Sequence, residues 1–168
     1  PERRVRIDPE GDVAGIEVRE RLDSHKLIEE FMIAANVAAA EALEERKVPV
    51  MYRVHDQPSR EKLESLREFL ETLDLRLTRG NVLRPRDFNS ILQRVAGRPE
   101  ARMVNEVVLR GQAQAAYDPV NIGHFGLALR RYCHFTSPIR RYADLLVHRA
   151  LIRASRCGDD GLGGDGGD

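Results

Sequence analysis

The sequence predicts an α+β fold that is mostly helical, with an N-terminal β-hairpin and short strands elsewhere. Three observations predict it. Apolar residues recur at helical spacing in several segments, apolar and polar residues alternate around a turn near the start, and prolines stand where helices would begin. The chain has 168 residues, of which 42% are apolar, enough for one domain or a piece of a larger one.

The first predicted element is a β-hairpin. The turn sequence Pro9-Glu10-Gly11 stands between two segments in which apolar and polar residues alternate. Such alternation is typical of strands with one buried face, and proline and glycine favour the turn that joins them. We therefore expect paired strands at 3–8 and 12–18.

Helices account for most of the remaining chain. Asp23 or Ser24 can cap a long first helix and Ser59 a second one, because their side-chain oxygens accept hydrogen bonds from free amide groups of a first turn. Pro85 and Pro99 suit first helical turns. The predicted order is a helix from 23 to about 47, an extended piece at 50–55, a helix from Ser59, helices at about 85–96 and 99–115, a loop with a short strand at 117–135, and a last helix from Pro138 to just before Gly158.

The charge balance excludes a globally basic nucleic-acid binder, because 27 Lys and Arg residues face 27 Asp and Glu residues. Any contact with phosphate must come from a local patch. Segment 130–156 is such a patch, since it holds seven arginines and a single acid, Asp144.

Other features point to a cytoplasmic protein without a membrane segment. No run approaches the ~18 apolar residues that span a bilayer, and the first residues lack the apolar stretch of a signal peptide. Cys133 and Cys157 have no metal-ligand spacing, so two free thiols are expected. Residues 157–168 are rich in Gly and Asp and are interpreted as a mobile tail or linker.

The start of the last predicted helix is a candidate anion site. Ser137 suits the N-cap and Pro138 the first helical position, which places Arg140 and Arg141 in the first turn. Cations are disfavoured there by the helix dipole, so two arginines make sense if a phosphate joins them and the free amide groups. The alternative is that both arginines reach into solvent or pair with an acid, for which Asp144 is suitably spaced.

Two further features could bind a nucleotide. Glu29 and Asn36 lie seven residues apart on the first helix and share a largely apolar face, where a carboxylate and an amide could bind a ligand hydroxyl. The alternative is a solvated Glu29 and a buried Asn36 that caps a loop. The pairs His124-Phe125 and His134-Phe135 could stack on bases, although phenylalanines in such pairs also serve as core anchors. His55 is isolated and is expected to be structural.

Four stretches of the sequence resemble a known family. The string HFGLAL from His124 and the string YCHFTSPIRRYADLLVHRAL from Tyr132 resemble the signature near the end of the RNB catalytic domain, which defines the ribonuclease II and ribonuclease R exoribonucleases. IEEFMIAANV at 28–37 and YRVH at 52–55 resemble two other stretches in the same order. The resemblance covers residues 1–156 and is nearer to the ribonuclease R branch.

The resemblance implies a processive 3′-to-5′ hydrolase that acts on single-stranded RNA, uses Mg²⁺ and releases nucleoside 5′-monophosphates. Arg140 matches the catalytic arginine that contacts the scissile phosphate, and Glu29 matches a glutamate that helps to recognise the ribose. Further RNA-binding candidates are Asn36, His124, Thr136, Ser137, Arg141 and Tyr142.

The chain resembles only the C-terminal portion of an RNB domain. In the family, the Asp-rich motif that supplies the Mg²⁺ ligands lies upstream of the matched segment, and cold-shock and S1 domains flank the catalytic domain. No metal ligand is recognised in this chain, so we expect it to be inactive by itself. The alternative function is a non-catalytic module that binds single-stranded RNA. Apolar surface exposed where the rest of the domain would dock could also cause self-association.

Overall fold

The computed structural model describes residues 3–18, 20–77 and 83–158, and it confirms the predicted α+β class. The described elements are strands β1 (Arg3–Ile7) and β2 (Val13–Val18), helix α1 (Asp23–Glu45), strand β3 (Tyr52–Val54), helices α2 (Arg60–Glu71), α3 (Pro85–Val95) and α4 (Ala101–Gly111), strand β4 (Ala116–Asp118), a short 3₁₀ helix (Phe125–Leu127) and helix α5 (Tyr142–Ser155). The chain divides into two compact units, Pro1–Ala34 and Ala35–Asp168.

The first unit contains the predicted hairpin. β1 and β2 pair antiparallel, with Val5 opposite Ile16 and Ile7 opposite Val13. The Asp8 carboxylate accepts hydrogen bonds from two amide groups of the turn, and Gly11 has φ +93°, in the region that favours glycine. The register shifts between Arg6 and Ile7, which places Val13 and Ile16 on the same face although they are three residues apart. The valines and isoleucines of both strands therefore share one face, and all of them are more than half exposed.

The larger unit has a core formed by α2, α3 and α4. Ser59 caps α2 by accepting a hydrogen bond from the Lys62 amide, and Pro85 starts α3, as predicted. α4 begins at Ala101 and ends at Gly111, which is shorter than the predicted 99–115. The buried residues of this core are Leu66, Leu70, Leu75, Leu77, Leu83, Phe88, Ile91, Val95, Val104 and Val108.

A second core in the same unit joins the C-terminal half of α1 to β3 and α5. β3 pairs with β4, and Tyr52 also bridges to Cys133 in an antiparallel arrangement. Cys133 is fully buried and its thiol donates to the carbonyl of Asn36, whereas Cys157 is exposed. Burial raises the pKa of Cys133 to about 12. The other buried members of this core are Ala39, Ala40, Leu43, Val50, Val54 and Val147.

The last helix does not begin where the sequence predicted. α5 starts at Tyr142, and Arg141 occupies the N-cap position with extended backbone angles. Pro138, Ile139 and Arg140 form a separate turn instead. The prediction that Ser137 is the N-cap is therefore wrong, because the backbone amide of Ser137 is bound by the side chain of Asp144 from within α5.

The predicted mobile tail and the expected lack of a membrane segment can be compared only with the residues that the structure describes. The predicted tail falls almost entirely on residues 159–168, outside the described residues. In the described parts of the chain, no helix combines the length and apolar character that a membrane crossing needs.

Candidate functional site

The turn before α5 presents Arg140 to solvent. The carbonyl of Ser137 accepts hydrogen bonds from the amides of Arg140 and Arg141, at 3.3 and 3.1 Å. This closes the turn and turns the side chains outward, so that Ile139 is 102% exposed and Tyr142 is 69% exposed. Among the described residues, Arg140 has no ion-pair partner. Its guanidinium is therefore available to an anion.

Arg141 has a different environment from its neighbour. Its Nη2 atom lies 2.8 Å from Oδ1 of Asp144, and Asp144 is fully buried. A weaker contact of 3.5 Å joins Nη2 to the hydroxyl of Thr136. The two arginines do not lie in a helical turn, because α5 begins at Tyr142; that they hold one phosphate together stays a prediction. The alternative of an ion pair with Asp144 is what the structure shows for Arg141.

Thr136 and Ser137 lie in the loop that leads into the turn, and both are half-buried. The Ser137 amide donates to Oδ1 of Asp144 at 2.7 Å. The same carboxylate oxygen thus holds the Ser137 backbone and the Arg141 side chain, so both the entry and the exit of the turn are fixed to α5.

His124 lies on a neighbouring loop of the same unit. Its Nδ1 accepts a hydrogen bond from the Leu127 amide and so caps the 3₁₀ helix. Burial, together with the nearby His55 ring, lowers the pKa of His124 to about 4. His124 is thus a neutral ring at pH 7 and can contact RNA by stacking or hydrogen bonding rather than through charge.

His55 is structural, as predicted. Its Nε2 donates to the carbonyl of Ala113 at 2.8 Å, and its Nδ1 accepts from the Gly126 amide at 2.7 Å. Both ring nitrogens are used by the backbone. The ring therefore joins the end of β3 to two loops and has no nitrogen left for a ligand.

A row of rings and one arginine extends from His124, and three of its members, Tyr132, Tyr117 and Arg53, were not candidates in the sequence analysis. His124 contacts Tyr132 edge to face at 5.3 Å between centroids, Tyr132 contacts His134 at 5.7 Å, and His134 contacts Tyr117 at 5.6 Å. The guanidinium of Arg53 lies 4.8 Å from the centroid of the Tyr117 ring. Tyr117 and Arg53 belong to strands too short to show alternation, and only pairing of β3 with β4 brings them together.

The turn and the row of rings share one electropositive region. Burial, followed by the charge of Arg141, lowers the pKa of His134 to about 4, and Arg53 and Arg140 act in the same direction. Burial is the main cause of this lowered pKa, and the Asp144 carboxylate acts against the three arginines. A phosphate that approached Arg140 would meet this region of positive potential.

The charge excess of segment 130–156 is smaller in the structure than in the sequence. Arg131 pairs with Glu44 at 2.9 Å and with Glu41 at 3.7 Å, both from α1. Glu44 also accepts from the hydroxyl of Tyr52, and burial raises the pKa of that tyrosine to about 12. Acids distant in sequence thus neutralise part of the patch.

Asn36 is placed where only one of its two predicted roles is possible. It is 3% exposed. Its Nδ2 donates to the hydroxyl of Tyr132 at 3.0 Å, and its Oδ1 accepts from the Phe135 amide at 2.8 Å. Asn36 is therefore too buried to contact RNA directly. It instead caps a loop and holds the segment that leads to the turn.

Glu29 lies in the other compact unit, on the N-terminal half of α1. It is exposed and forms an ion pair with Arg21. Its carboxylate lies at the surface, so a ligand hydroxyl could displace the arginine at little cost.

No metal centre is formed by the parts of the chain that the structure describes. No group of three or more His, Cys, Asp or Glu side chains lies close enough together there to hold an ion. Phosphodiester hydrolysis assisted by metal ions requires carboxylates that converge on the ions. The described residues thus do not by themselves provide a cluster of three or more ligands for Mg²⁺.

The comparison with known proteins identifies the family. The family model of the RNB domain matches residues 1–156, and the chain therefore belongs to the RNB family. It is 51% identical to Ribonuclease R of Escherichia coli (strain K12) over 145 residues, which make up 86% of this chain and 18% of that protein. It is 47% identical to Ribonuclease R of Aquifex aeolicus (strain VF5) over 156 residues, 93% of this chain and 22% of that protein.

The fold agrees with a solved structure of the same family. The structure of Mycoplasma genitalium RNase R in complex with ribose methylated single-stranded RNA matches with a TM-score of 0.77 and 31% identity, over 90% of this chain and 24% of that chain. The chain thus spans about a fifth of the length of the curated relatives it matches. The family resemblance expected from the sequence is confirmed.

Proposed function

We propose that this chain forms part of a processive 3′-to-5′ exoribonuclease that hydrolyses single-stranded RNA to nucleoside 5′-monophosphates, and that it contributes residues that contact phosphate and ribose. One observation supports this most directly: Arg140 is exposed and has no acidic partner among the described residues, in a turn that is closed by two backbone hydrogen bonds. A guanidinium held in this way is suited to a phosphate oxygen.

The proposal assigns different roles to the candidate residues. Arg140 is the catalytic arginine that contacts the scissile phosphate. Thr136, Ser137, Tyr142 and His124 contact RNA around it, and Glu29 binds a ribose hydroxyl. The ribonuclease R relatives and the RNA-bound structure in the family support RNA as the ligand.

Hydrolysis requires more than these residues. The family chemistry calls for Mg²⁺, which supplies an activated water molecule in such enzymes, and the described residues contain no cluster that would bind it. We therefore expect the 168-residue chain to bind single-stranded RNA without cleaving it.

RNA binding can be measured by fluorescence anisotropy with a labelled single-stranded oligoribonucleotide. Replacement Arg140→Ala should weaken binding about tenfold, the loss expected for one charge-assisted hydrogen bond. It should also reduce the slope of log affinity against log salt by about 0.7, the value for one contact with a single strand. The matched control is Arg102→Ala, an exposed arginine of α4, which should bind RNA as the wild type does. Equal affinity of wild type and Arg140→Ala would contradict the proposal.

A second candidate is a non-catalytic module for single-stranded RNA, which the lack of a metal-binding cluster among the described residues favours. Incubation of the purified chain with labelled RNA and Mg²⁺ tests the expectation of binding without cleavage. Release of nucleoside 5′-monophosphates, lost in Arg140→Ala, would show that the chain completes a catalytic site by itself. A chain that binds no RNA would instead be a structural α+β domain.

A further inference from the structure

We propose that Asp144 is the positioning residue of this site: it holds the turn 137–141 in the shape that presents Arg140 to a phosphate. The inference rests on the proposed function of Arg140. Asp144 does not face the solvent and would not touch RNA, since it is fully buried in the first turn of α5.

The contacts of one oxygen carry the argument. Oδ1 of Asp144 accepts from the Ser137 amide at 2.7 Å and from Nη2 of Arg141 at 2.8 Å. Ser137 and Arg141 are the first and last residues of the turn, and the Ser137 carbonyl accepts from the Arg140 amide at 3.3 Å. Arg140 therefore lies between two points that are both attached to the same buried carboxylate.

The free energy needed to bury the Asp144 carboxylate indicates that this residue has a functional role. A carboxylate without solvent contact is expensive to bury unless it is paired and hydrogen-bonded. Even so, Oδ2 of Asp144 and Nε of Arg141 are buried and have no hydrogen-bond partner among the residues that the structure describes. Unsatisfied buried polar atoms are rare in folded proteins and often mark functional sites. A leucine or alanine would fill a buried helix position at lower cost, but it could not hold the Ser137 amide.

A positioning role for Asp144 and simple electrostatics predict opposite changes in RNA affinity when the acid is removed. Removal of an acid near an RNA-binding surface should normally strengthen RNA binding or leave it unchanged, because the local potential becomes more positive. If Asp144 positions Arg140, its replacement should weaken binding instead.

The decisive variant is Asp144→Asn, which keeps the shape of the side chain and an oxygen for the Ser137 amide but removes the charge that holds Arg141. Anisotropy with a labelled single-stranded oligoribonucleotide should show binding weakened about fivefold to tenfold. The matched control Asp56→Asn removes an exposed acid that follows β3 and should bind RNA as well as the wild type or slightly better.

A double-mutant cycle separates positioning from general destabilisation. If Asp144 acts through Arg140, the double variant Arg140→Ala/Asp144→Asn should bind no more weakly than Arg140→Ala alone. If the losses in binding free energy of the two single variants add up in the double variant, the inference is overturned. If Asp144→Asn does not fold, Arg141→Gln breaks the same ion pair while Asp144 retains the Ser137 amide. This variant is read by hydrogen exchange at the Arg140 amide, because loss of a cation would by itself weaken RNA binding.

A second readout does not depend on RNA. In Asp144→Asn, hydrogen exchange at the amides of Arg140 and Arg141 should become at least about tenfold faster, while exchange in β3 stays unchanged. Unchanged exchange at both amides would overturn the inference even if the chain bound no RNA. If Arg140→Ala leaves RNA binding intact, the proposed function fails; if only Asp144→Asn does so, the positioning role alone fails.

Discussion

The packing of a single glycine explains part of the HFGLAL string. A Cβ atom on Gly126 would lie 2.9 Å from Nδ1 of His55 and 3.1 Å from its Cε1. The Gly126 amide needs this closeness to donate to Nδ1. Glycine is thus required here by contact with a ring, since the backbone angles of Gly126 are open to other residues.

Replacement Gly126→Ala should destabilise the fold by about 1–3 kcal/mol, the usual cost of forcing an extra group into a packed position. The His55 ring must move and weaken both of its backbone hydrogen bonds. Gly111→Ala is the control, because its Cβ would meet nothing nearer than 3.9 Å. Urea denaturation followed by circular dichroism measures both, and equal stability of the two variants would contradict the steric argument.

Individual residues show what sequence reasoning could not decide. The structural role of His55 agrees with the sequence analysis, and the exposure of Arg140 leaves its predicted contact with phosphate open. The sequence left two roles open for Asn36 and two for Arg141. Asn36 binds Phe135, which is 99 residues away, and no local pattern reveals such a partner. For Arg141 the partner was near in sequence, but only the burial of Asp144 shows that the ion pair prevails.

At the scale of elements, cap residues and prolines predicted the start of some helices but not of the last one. Ser59 and Pro85 start helices as predicted: the Ser59 hydroxyl accepts from the Lys62 amide, and Asp87 of the first turn of α3 accepts from the Arg84 amide. Pro138 carries the same signal, yet α5 begins four residues later. Here a tertiary contact of Asp144 with the Ser137 amide closes a separate turn and overrides the local preference.

The hairpin of the first unit is expected to mediate self-association of the isolated chain. Its apolar face consists of exposed aliphatic side chains, which water disfavours. The double variant Val5→Thr/Ile16→Thr changes an opposed pair on this face and retains β propensity. Sedimentation velocity should show concentration-dependent association of the wild type and less of it in the variant.

The matched control for the hairpin experiment is Arg4→Thr/Glu17→Thr, an opposed pair with exposed charged side chains. It changes the same strands without removing apolar area. Association that decreased equally in both double variants would assign it to the strand edges or the charges rather than to the apolar face.

For the whole molecule, stability should depend on pH through two histidines. Burial lowers the pKa of both His124 and His134 to about 4 in the folded chain, from the usual 6.5. Between these values the unfolded chain binds protons that the folded chain does not. The free energy of unfolding should therefore be unaffected by these groups above pH 6.5 and fall as the pH decreases from 6.5 towards 4.

Urea denaturation at a series of pH values measures this dependence. His134→Gln should make the decrease shallower between pH 6.5 and 4, because one of the two titrating rings is gone. His25→Gln replaces an exposed histidine and serves as the control. A His134→Gln profile parallel to the wild type would contradict the argument.

The sequence patterns predicted the fold class of the whole molecule but not its two cores. Helical spacing and the hairpin pattern gave the α+β class. The division of the larger unit into one core around α2, α3 and α4 and another around α1, β3 and α5 depends on which apolar faces meet. Such pairings join segments far apart in the chain, and periodicity within each segment does not encode them.

Chemical modification of the two cysteines requires different states of the protein. An alkylating agent or oxidant dissolved in water can reach Cys157 at any time, since it lies at the surface. Cys133 is protected by the core and by its bond to Asn36, so such reagents can attack it only after that part of the fold has opened. Damage at Cys133 therefore reports a past excursion from the native state, and damage at Cys157 reports exposure to the reagent alone.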